Sequence, residues 1–345
     1  MNEPFGEDKA PPAVSVVIVA YNSGATLDRC VSALAAQTFA DFELLIVNND
    51  SPQQEAGPAA ERLAGARVIE AGGNLGFAAG VNLGAREALG RWLVLLNPDA
   101  YPDPDWLAQL IAASRRHPKV LSFTSRQVMA QDRRVLDGLG DVMSAPAIPY
   151  RGGYQTPDPG DTPEGEVFSP CGAAMMVDRT LFLSLGGLDE GFFCYCEDVD
   201  FGYRLQLAGE PTLLVPAAVI GHEGSASSGG PKSEFAVFHG TRNRFWVLVK
   251  NTPGLLLPVI LPLHLLAFAV VSLRPQNRPL LAVTWRGFKA ALAGLGPVWT
   301  SRRRTQALRR APALQIAQAM TWNPKDLSGR RAVIRPLRPS RRGAP

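Results

Sequence analysis

The strongest constraint on this chain is the order of segments in its first hundred residues. Residues 14–20 (VSVVIVA) and 42–47 (FELLIV) are runs of strand formers, apolar enough to be buried on both faces. A shorter run at 67–70 and a third apolar one at 91–96 (RWLVLL) follow. Between them lie segments with helical signals: 26–37, with Leu27, Cys30, Val31 and Leu34 at helical spacing, then a helix around 59–63, then 76–89. The β-α-β-α-β-α-β alternation predicts an α/β fold with a mainly parallel, twisted, Rossmann-like sheet and helices on both faces.

Sheets of this kind bind ligands outside the carboxyl ends of their strands. The tripeptides just beyond those ends are Tyr21-Asn22-Ser23, Asn48-Asn49-Asp50 and Asn97-Pro98-Asp99, all polar and rich in oxygen. They are the first place to look for a site.

Beyond residue 120 the pattern loosens. Residues 121–170 are rich in proline and glycine and read as an irregular excursion over the site. Regular apolar structure returns at 171–185, and a strand-like 212–215 leads to Gly221-His222-Glu223. At 345 residues and 46% hydrophobic content the chain is no disordered tail, and no fixed-period repeat suggests a solenoid. Four cysteines make neither a disulfide framework nor a structural zinc site, so a reducing compartment is expected. Residues 1–13 are polar with no apolar core and read as a flexible lead-in, not a secretory signal.

The charge is unevenly spread. Residues 274–345 carry 16 Lys and Arg against one acid, Asp326, a net +15, whereas residues 1–273 carry 19 bases and 30 acids, a net −11. Just before the basic stretch, residues 251–273 contain no formally charged side chain. An apolar segment beside a basic one is the two-signal pattern for an anionic lipid surface. The expected organisation is therefore a catalytic domain at 14–250 and a helical, membrane-associating region at 251–345.

Two acidic motifs can carry chemistry. Asn97-Pro98-Asp99 ends a strand of the parallel sheet, where a carboxylate can help hold a hard divalent ion against phosphate oxygens, or where an Asx turn can simply stop the strand. Glu197-Asp198-Val199-Asp200 follows the aromatic and cysteine-rich FFCYC at 192–196. Acids there can cap a helix, and Asp200 with Arg204 forms an i, i+4 pair; a partly apolar setting also raises a carboxylate toward the range of a general base. His222 follows a strand in a glycine-flanked loop and gains meaning only if it meets Asp99. No GxxxxGK[ST], GxGxxG or GxSxG occurs, which argues against P-loop phosphoryl transfer, dinucleotide hydride transfer and a hydrolase elbow.

Taken together, VSVVIVAYN (14–22), QTF (37–39), LLIVNNDS (44–51), NLGFAAGVN (74–82), LLNPD (95–99), EDVD (197–200), GH (221–222) and HGTRN (239–243) resemble, in order and spacing, the family 2 inverting glycosyltransferases of the GT-A fold. The NLGF and NPD variants are most similar to the rhamnosyltransferase-type branch, which builds cell-surface polysaccharide.

The resemblance implies a nucleotide-sugar pocket lined by Tyr21, Asn22, Asn49, Asn74, Asn82 and Asn97. It implies a Mg²⁺ or Mn²⁺ ion held by Asp99, with His222 as a second ligand. Asp198 becomes the base that deprotonates the acceptor hydroxyl, with Glu197 and Arg204 in support. Asn48 stands where an aspartate is common in the family, and Asn97-Pro98 occupies the earlier part of the DxD motif. The expected donor is a nucleoside diphosphate sugar, dTDP-L-rhamnose being the first choice, and the acceptor a lipid-linked or polysaccharide chain at the cytoplasmic face of an anionic membrane. Two rivals remain at this stage: a degenerate scaffold protein of a glycan assembly complex, and nucleic-acid binding by the basic tail, for which no motif is present.

Overall fold

The computed structural model describes residues 10–224, 230 and 232–338. Most of the expected N-terminal lead-in, residues 1–9, lies outside them. The first half follows the predicted alternation: β1 (Val14–Ala20), α1 (Gly24–Ala35), β2 (Phe42–Asn48), α2 (Ala56–Ala60), β3 (Arg67–Glu70), α3 (Phe77–Glu87) and β4 (Trp92–Leu96). Then come β5 (Ala100–Pro102), α4 (Trp106–Arg116) and β6 (Ser122–Met129). Short strands β7 (Leu136–Gly138), β8 (Asp141–Met143), β9 (Pro149–Arg151) and β10 (Gly165–Val167) lead to β11 (Ala174–Asp178), α5 (Arg179–Ser184), α6 (Glu197–Ala208) and β12 (Thr212–His222). The chain ends in helices α7 (Glu234–Asn251), α8 (Leu257–Ser272), α9 (Leu281–Ala293), α10 (Leu295–Ala307), α11 (Ala313–Ala319) and α12 (Pro324–Ser328).

The main sheet runs β10-β12-β6-β11-β4-β1-β2-β3. Four of the seven pairings along this order are parallel, β11 lies antiparallel between β4 and β6, and β5 and β7 add antiparallel pairings to β12 and β6. β1 and the central β4 are buried throughout, as their unbroken apolar sequences require. One face of the sheet packs against α1 and α4 through Leu27, Leu34, Trp106 and Leu110. The other packs against α3, α5 and α6 through Val81, Phe182, Phe201 and Leu205.

The stretch expected to be loop-rich, 121–170, contains β6, which pairs with both β11 and β12 in the main sheet. Its sequence, SFTSRQVM, hides that role. Ser122, Thr124, Ser125 and Gln127 are buried, so no apolar alternation marks the strand. The strand expected at 212–215 runs on to His222, with an irregularity between Val215 and Val219.

The C-terminal helices share a hydrophobic cluster with the rest of the molecule: Ile260, Ala291, Val298 and Ile316 pack with Met143, Phe168 and Tyr203. Polar ties reinforce this. Arg302 donates to the carbonyls of Val249 and Thr252, both at 2.7 Å, at the end of α7. Asp200 is fully buried and meets Arg204 and Lys250, both at 2.9 Å, and Asn251 at 2.8 Å. The i, i+4 pair expected on a helix surface is thus an internal tie between α6 and α7. Part of the basic tail is also consumed internally, because Arg338 pairs with Glu166 and the Arg335 backbone bonds to that of Glu166. No helix among the described residues is long and apolar enough to cross a membrane.

Candidate functional site

The carboxyl ends of β1, β2 and β4 open into a cleft of about 740 Å³, closed on the far side by the β7–β9 excursion and the start of α6. Tyr21, Asn49, Asn74, Asn97, Asp99, Glu197, Asp198 and His222 all line it. Residues from both ends of the sequence pattern therefore converge.

The first wall is built from the turns after β1 and β2. Asn49 is buried and donates from Nδ2 to Asn74 Oδ1 at 3.0 Å, while its Oδ1 accepts the Leu75 N–H at 2.9 Å. Asn74 Oδ1 also accepts the Gly76 N–H at 3.0 Å. The pair locks the NLGF turn onto the end of β2. Gly76 is required there: its φ is +82°, and a Cβ would lie 2.5 Å from the Phe193 ring. Asn48 donates to Glu70 at 2.8 Å and its Oδ1 accepts the Ser51 N–H, so it shapes the turn from below.

Asp99 and His222 meet at the end of β4. His222 Nε2 lies 3.3 Å from Asp99 Oδ1 and 3.4 Å from Asn97 Nδ2, and its Nδ1 lies 2.8 Å from Asp137 Oδ2. Burial works against the charged imidazolium, yet the two flanking carboxylates outweigh it and raise the His222 pKa to about 9. Arg151 donates to Asp137 at 2.5 Å, and its charge with that of His222 holds the Asp137 carboxyl below the usual range despite burial. These residues fit a hard divalent ion. Ligands at about 2.1 Å on adjacent octahedral positions stand roughly 3 Å apart, close to the Asp99–His222 spacing. A carboxylate on the other imidazole nitrogen is the usual orienting partner of a metal-bound histidine.

The opposite wall carries Asp198. Its Oδ2 accepts the Gly172 N–H at 2.9 Å and its Oδ1 the Val199 N–H at 2.7 Å, so backbone donors fix the carboxylate. Asp141, Cys171 and Asp198 bring ligand atoms within 4.8 Å of one another. That trio suits a hard cation poorly, since burial pushes the Cys171 thiol up and away from thiolate. Burial, then the charge of Asp198, raises the Asp141 carboxyl well above its ordinary range. Glu197 is raised for the same two reasons, and its Oε2 has no hydrogen-bond partner. The two acids that flank Asp198 are thus both shifted toward their protonated forms.

The approach to α6 is strained. Phe193, Tyr195 and Cys196 have φ of 64°, 71° and 67°, a region that costs non-glycine residues on the order of 1 kcal/mol or more each. Asn243 on α7 holds this loop in place. Its Nδ2 reaches the carbonyl oxygens of Phe192, Cys194 and Tyr195 at 3.0, 2.8 and 2.7 Å. Arg242 adds a bond to Phe192 O at 2.9 Å, and His239 stacks on Phe193. The HGTRN motif is a clamp on the cleft rather than a wall of it.

Three expected site residues, Asn22 and Asn82 of the nucleotide pocket and Arg204, are not brought to the cleft. Asn82 is turned away: its amide bonds to both the N–H and the C=O of Leu188 at 2.8 Å. Arg204 is buried against Asp200 and the carbonyls of Leu185 and Gly187. Asn22 sits exposed at the turn, where its N–H bonds to Ser51 Oγ. Conversely, Asp137, Asp141 and Arg151 were not singled out from sequence, and Asn243 stood there only as the end of the HGTRN motif, with no role given to it. The first two end an acid-to-acid pentapeptide, DGLGD (137–141), whose glycines were the available signal.

Comparison with known proteins agrees with this geometry. Residues 15–182 match the model of glycosyl transferase family 2. The chain is 29% identical over 253 residues to an N-acetylglucosaminyl-diphospho-decaprenol L-rhamnosyltransferase of Mycobacterium tuberculosis, covering 65% of this chain and 80% of that one. It is 28% identical to the O-antigen biosynthesis protein RfbC of Myxococcus xanthus, over 64% of this chain and 18% of that one. Among solved structures, GalNAc-T7 with UDP, GalNAc and Mn²⁺ superposes with a TM-score of 0.56 at 19% identity, over 70% of this chain and 48% of that one. The mannosyltransferase PcManGT of Pyrobaculum calidifontis, in complex with GDP-Man and Mn²⁺, superposes with a TM-score of 0.52 at 17% identity, over 92% and 87%. The fold is GT-A-like.

Proposed function

We propose, from the premise that residues 15–182 are a glycosyl transferase family 2 domain, that this protein transfers a sugar with inversion from a nucleoside diphosphate donor to a lipid-linked or polysaccharide acceptor. The donor of first choice is dTDP-L-rhamnose, and the setting is the cytoplasmic face of a membrane. The relative from Mycobacterium tuberculosis, named for L-rhamnosyl transfer to a diphospho-decaprenol acceptor, supports that choice.

One observation carries the reading. Among the described residues the cleft is lined by six acids, Asp99, Asp137, Asp141, Glu197, Asp198 and Glu223, with Arg151 the sole Lys or Arg. Even with Asp141 and Glu197 shifted toward their neutral forms, four carboxylates stand against Arg151 and His222, so a diphosphate entering the cleft would need added positive charge. Asp99 and His222 are the residues that would hold a Mg²⁺ or Mn²⁺ ion, and when bound it would neutralise charge on the leaving diphosphate. Arg151 contributes the fixed positive charge beside it.

The remaining steps belong to the chain. Tyr21, Asn49 and Asn74 form the donor's side of the cleft, with Asn97 next to the phosphates. Asp198 stands on the opposite wall, where it takes the proton of the acceptor hydroxyl as that oxygen bonds to the anomeric carbon. The bond from that carbon to the phosphate oxygen breaks, and its electron pair leaves with the nucleoside diphosphate. General-base assistance of this kind contributes about 10² to 10⁴ in rate.

The test is a screen of nucleotide sugars with Mn²⁺ or Mg²⁺, read by release of nucleoside diphosphate and by the anomeric configuration of the product. Turnover with dTDP-L-rhamnose and a lipid-linked acceptor, abolished by EDTA, is the expected result. No donor hydrolysis and no metal binding would leave the scaffold reading standing.

A further inference from the structure

Helix α8 presents an apolar face that the rest of the molecule leaves uncovered. Leu255, Val259, Leu263, Leu266, Val270 and Leu273 are 36% to 81% exposed. Their spacing of 4, 4, 3, 4 and 3 residues places them along one side of the helix and its flanking turns. The opposite side is anchored. Ile260 and His264 are buried, and His264 Nδ1 bonds to Pro146 O at 2.8 Å. Burial lowers the His264 pKa to about 4, so this histidine is a neutral fastening.

The neighbouring helix adds exposed apolar side chains of its own. Trp285 of α9 meets Phe268 of α8 edge-on at 5.6 Å, and Trp285 and Leu292 are each nearly half exposed. Exposed cations follow immediately: Arg274 and Arg278 after α8, then Arg286 and Lys289 on α9. Large contiguous apolar surface on a soluble protein marks an interaction site. A second copy of the chain would bring these like-charged rims toward each other across a two-fold interface. An anionic bilayer instead suits both features: hydrocarbon for the leucines and valines, headgroups for the tryptophan and the cations.

We propose that α8 lies in the plane of an anionic lipid surface, inserting its Leu255–Leu273 face and resting on the Arg and Lys rim of α9. The helix docks the enzyme without spanning, since its other side belongs to the core. This goes beyond the catalytic reading and does not depend on it.

Deleting the C-terminus would expose the shared core, so the test uses the full chain with surface changes. Wild type is sedimented with vesicles of phosphatidylcholine alone and with phosphatidylglycerol, beside L266D/V270D and R274Q/R278Q/K289Q. Melting and donor hydrolysis are measured on the same samples, so a failure of docking is separable from a failure of the catalytic reading. Wild type is expected to bind the anionic vesicles, with Trp fluorescence quenched by brominated lipid. The Asp pair is expected to lower partitioning by about tenfold or more, and the Gln triple to remove the preference for anionic lipid, with melting and hydrolysis unchanged. The proposal is overturned by a wild type that ignores both vesicles, or by Asp variants that bind as well as wild type. A wild-type dimer that the Asp pair splits, with no vesicle binding, would overturn it in favour of a second copy.

Discussion

Asp137 Oδ2 lies 2.8 Å from His222 Nδ1, and the two residues are 85 positions apart in sequence. The contact leaves Nε2 pointing at Asp99 and fixes the imidazole for a ligand role. Asp137→Asn is therefore expected to weaken Mn²⁺ binding by about 10- to 100-fold while the fold survives. Calorimetric titration of Mn²⁺ into wild type and variant decides it, and equal affinities would remove Asp137 from the site.

The same histidine sets a pH dependence with two opposite signs. Its folded pKa, about 9, lies above the ordinary 6.5. The associated stability is fully present below pH 6.5 and is lost as pH rises through about 9. A metal ligand must be unprotonated, so Mn²⁺ binding displaces that proton and tightens over the same window, by up to about tenfold per pH unit. The metal-free protein is expected to melt lower at pH 9 than at pH 7, with the gain in melting temperature from Mn²⁺ larger at pH 9. A Mn²⁺ affinity independent of pH in this range would show that His222 is not a ligand.

Much of this was legible before the structure, for identifiable reasons. β1, β2 and β4 are buried on both faces, so their apolar runs and the polar turns after them stood out, and Tyr21, Asn49 and Asp99 came with them. The second half was harder. β6 buries serines, threonine and glutamine and so leaves no period-two apolar signal. Asp137, Asp141 and Arg151 sit on short strands whose partners are set by tertiary contacts, and sequence pattern does not encode those. Asn82 and Arg204 lie away from the cleft, which their motifs could not foretell, because a motif gives a position in the chain and not the direction its side chain takes.

Asn243 offers a test of the clamp on the strained loop. Asn243→Ala removes the donor that reaches three carbonyls from Phe192 to Tyr195. Loss of buried hydrogen bonding is expected to cost about 1–3 kcal/mol in stability. Because the loop leads directly into Asp198, turnover is expected to drop by more than the melting change explains, by about tenfold or more at a temperature where the variant is fully folded. Turnover equal to wild type under those conditions would make Asn243 a purely structural residue.

Arg151 is expected to act on the donor. Its guanidinium bonds to Asp137 and faces the cleft, where no other Lys or Arg among the described residues contributes to the lining. Arg151→Met keeps most of the volume and removes the charge. The expected result is a rise of about 10- to 100-fold in the donor KM, the scale of one charged hydrogen-bonding partner lost from a partly buried site. Donor KM measured at saturating Mn²⁺ checks it, and an unchanged KM would assign Arg151 to holding Asp137 alone.

Asp198 and Asp141 bring carboxylate oxygens within 4.8 Å of each other, and their variants should behave differently. Asp198 accepts N–H groups from Gly172 and Val199 and stands open to the cleft, the position a base requires. Asp198→Asn keeps the shape but cannot take a proton, so turnover should drop by about two orders of magnitude or more with donor binding retained. Asp141 is raised well above the usual carboxylate range by burial and by Asp198, which favours its protonated form. Asn at position 141 reproduces a neutral hydrogen-bonding group of the same size, so Asp141→Asn should keep turnover within about threefold, whereas Asp141→Ala opens a cavity beside the base and should cost about tenfold. Single-turnover transfer rates for the three variants at neutral pH separate the cases. If Asp141→Asn proves as damaging as Asp198→Asn, then Asp141 works as a carboxylate, and the assignment of the base must move to the pair.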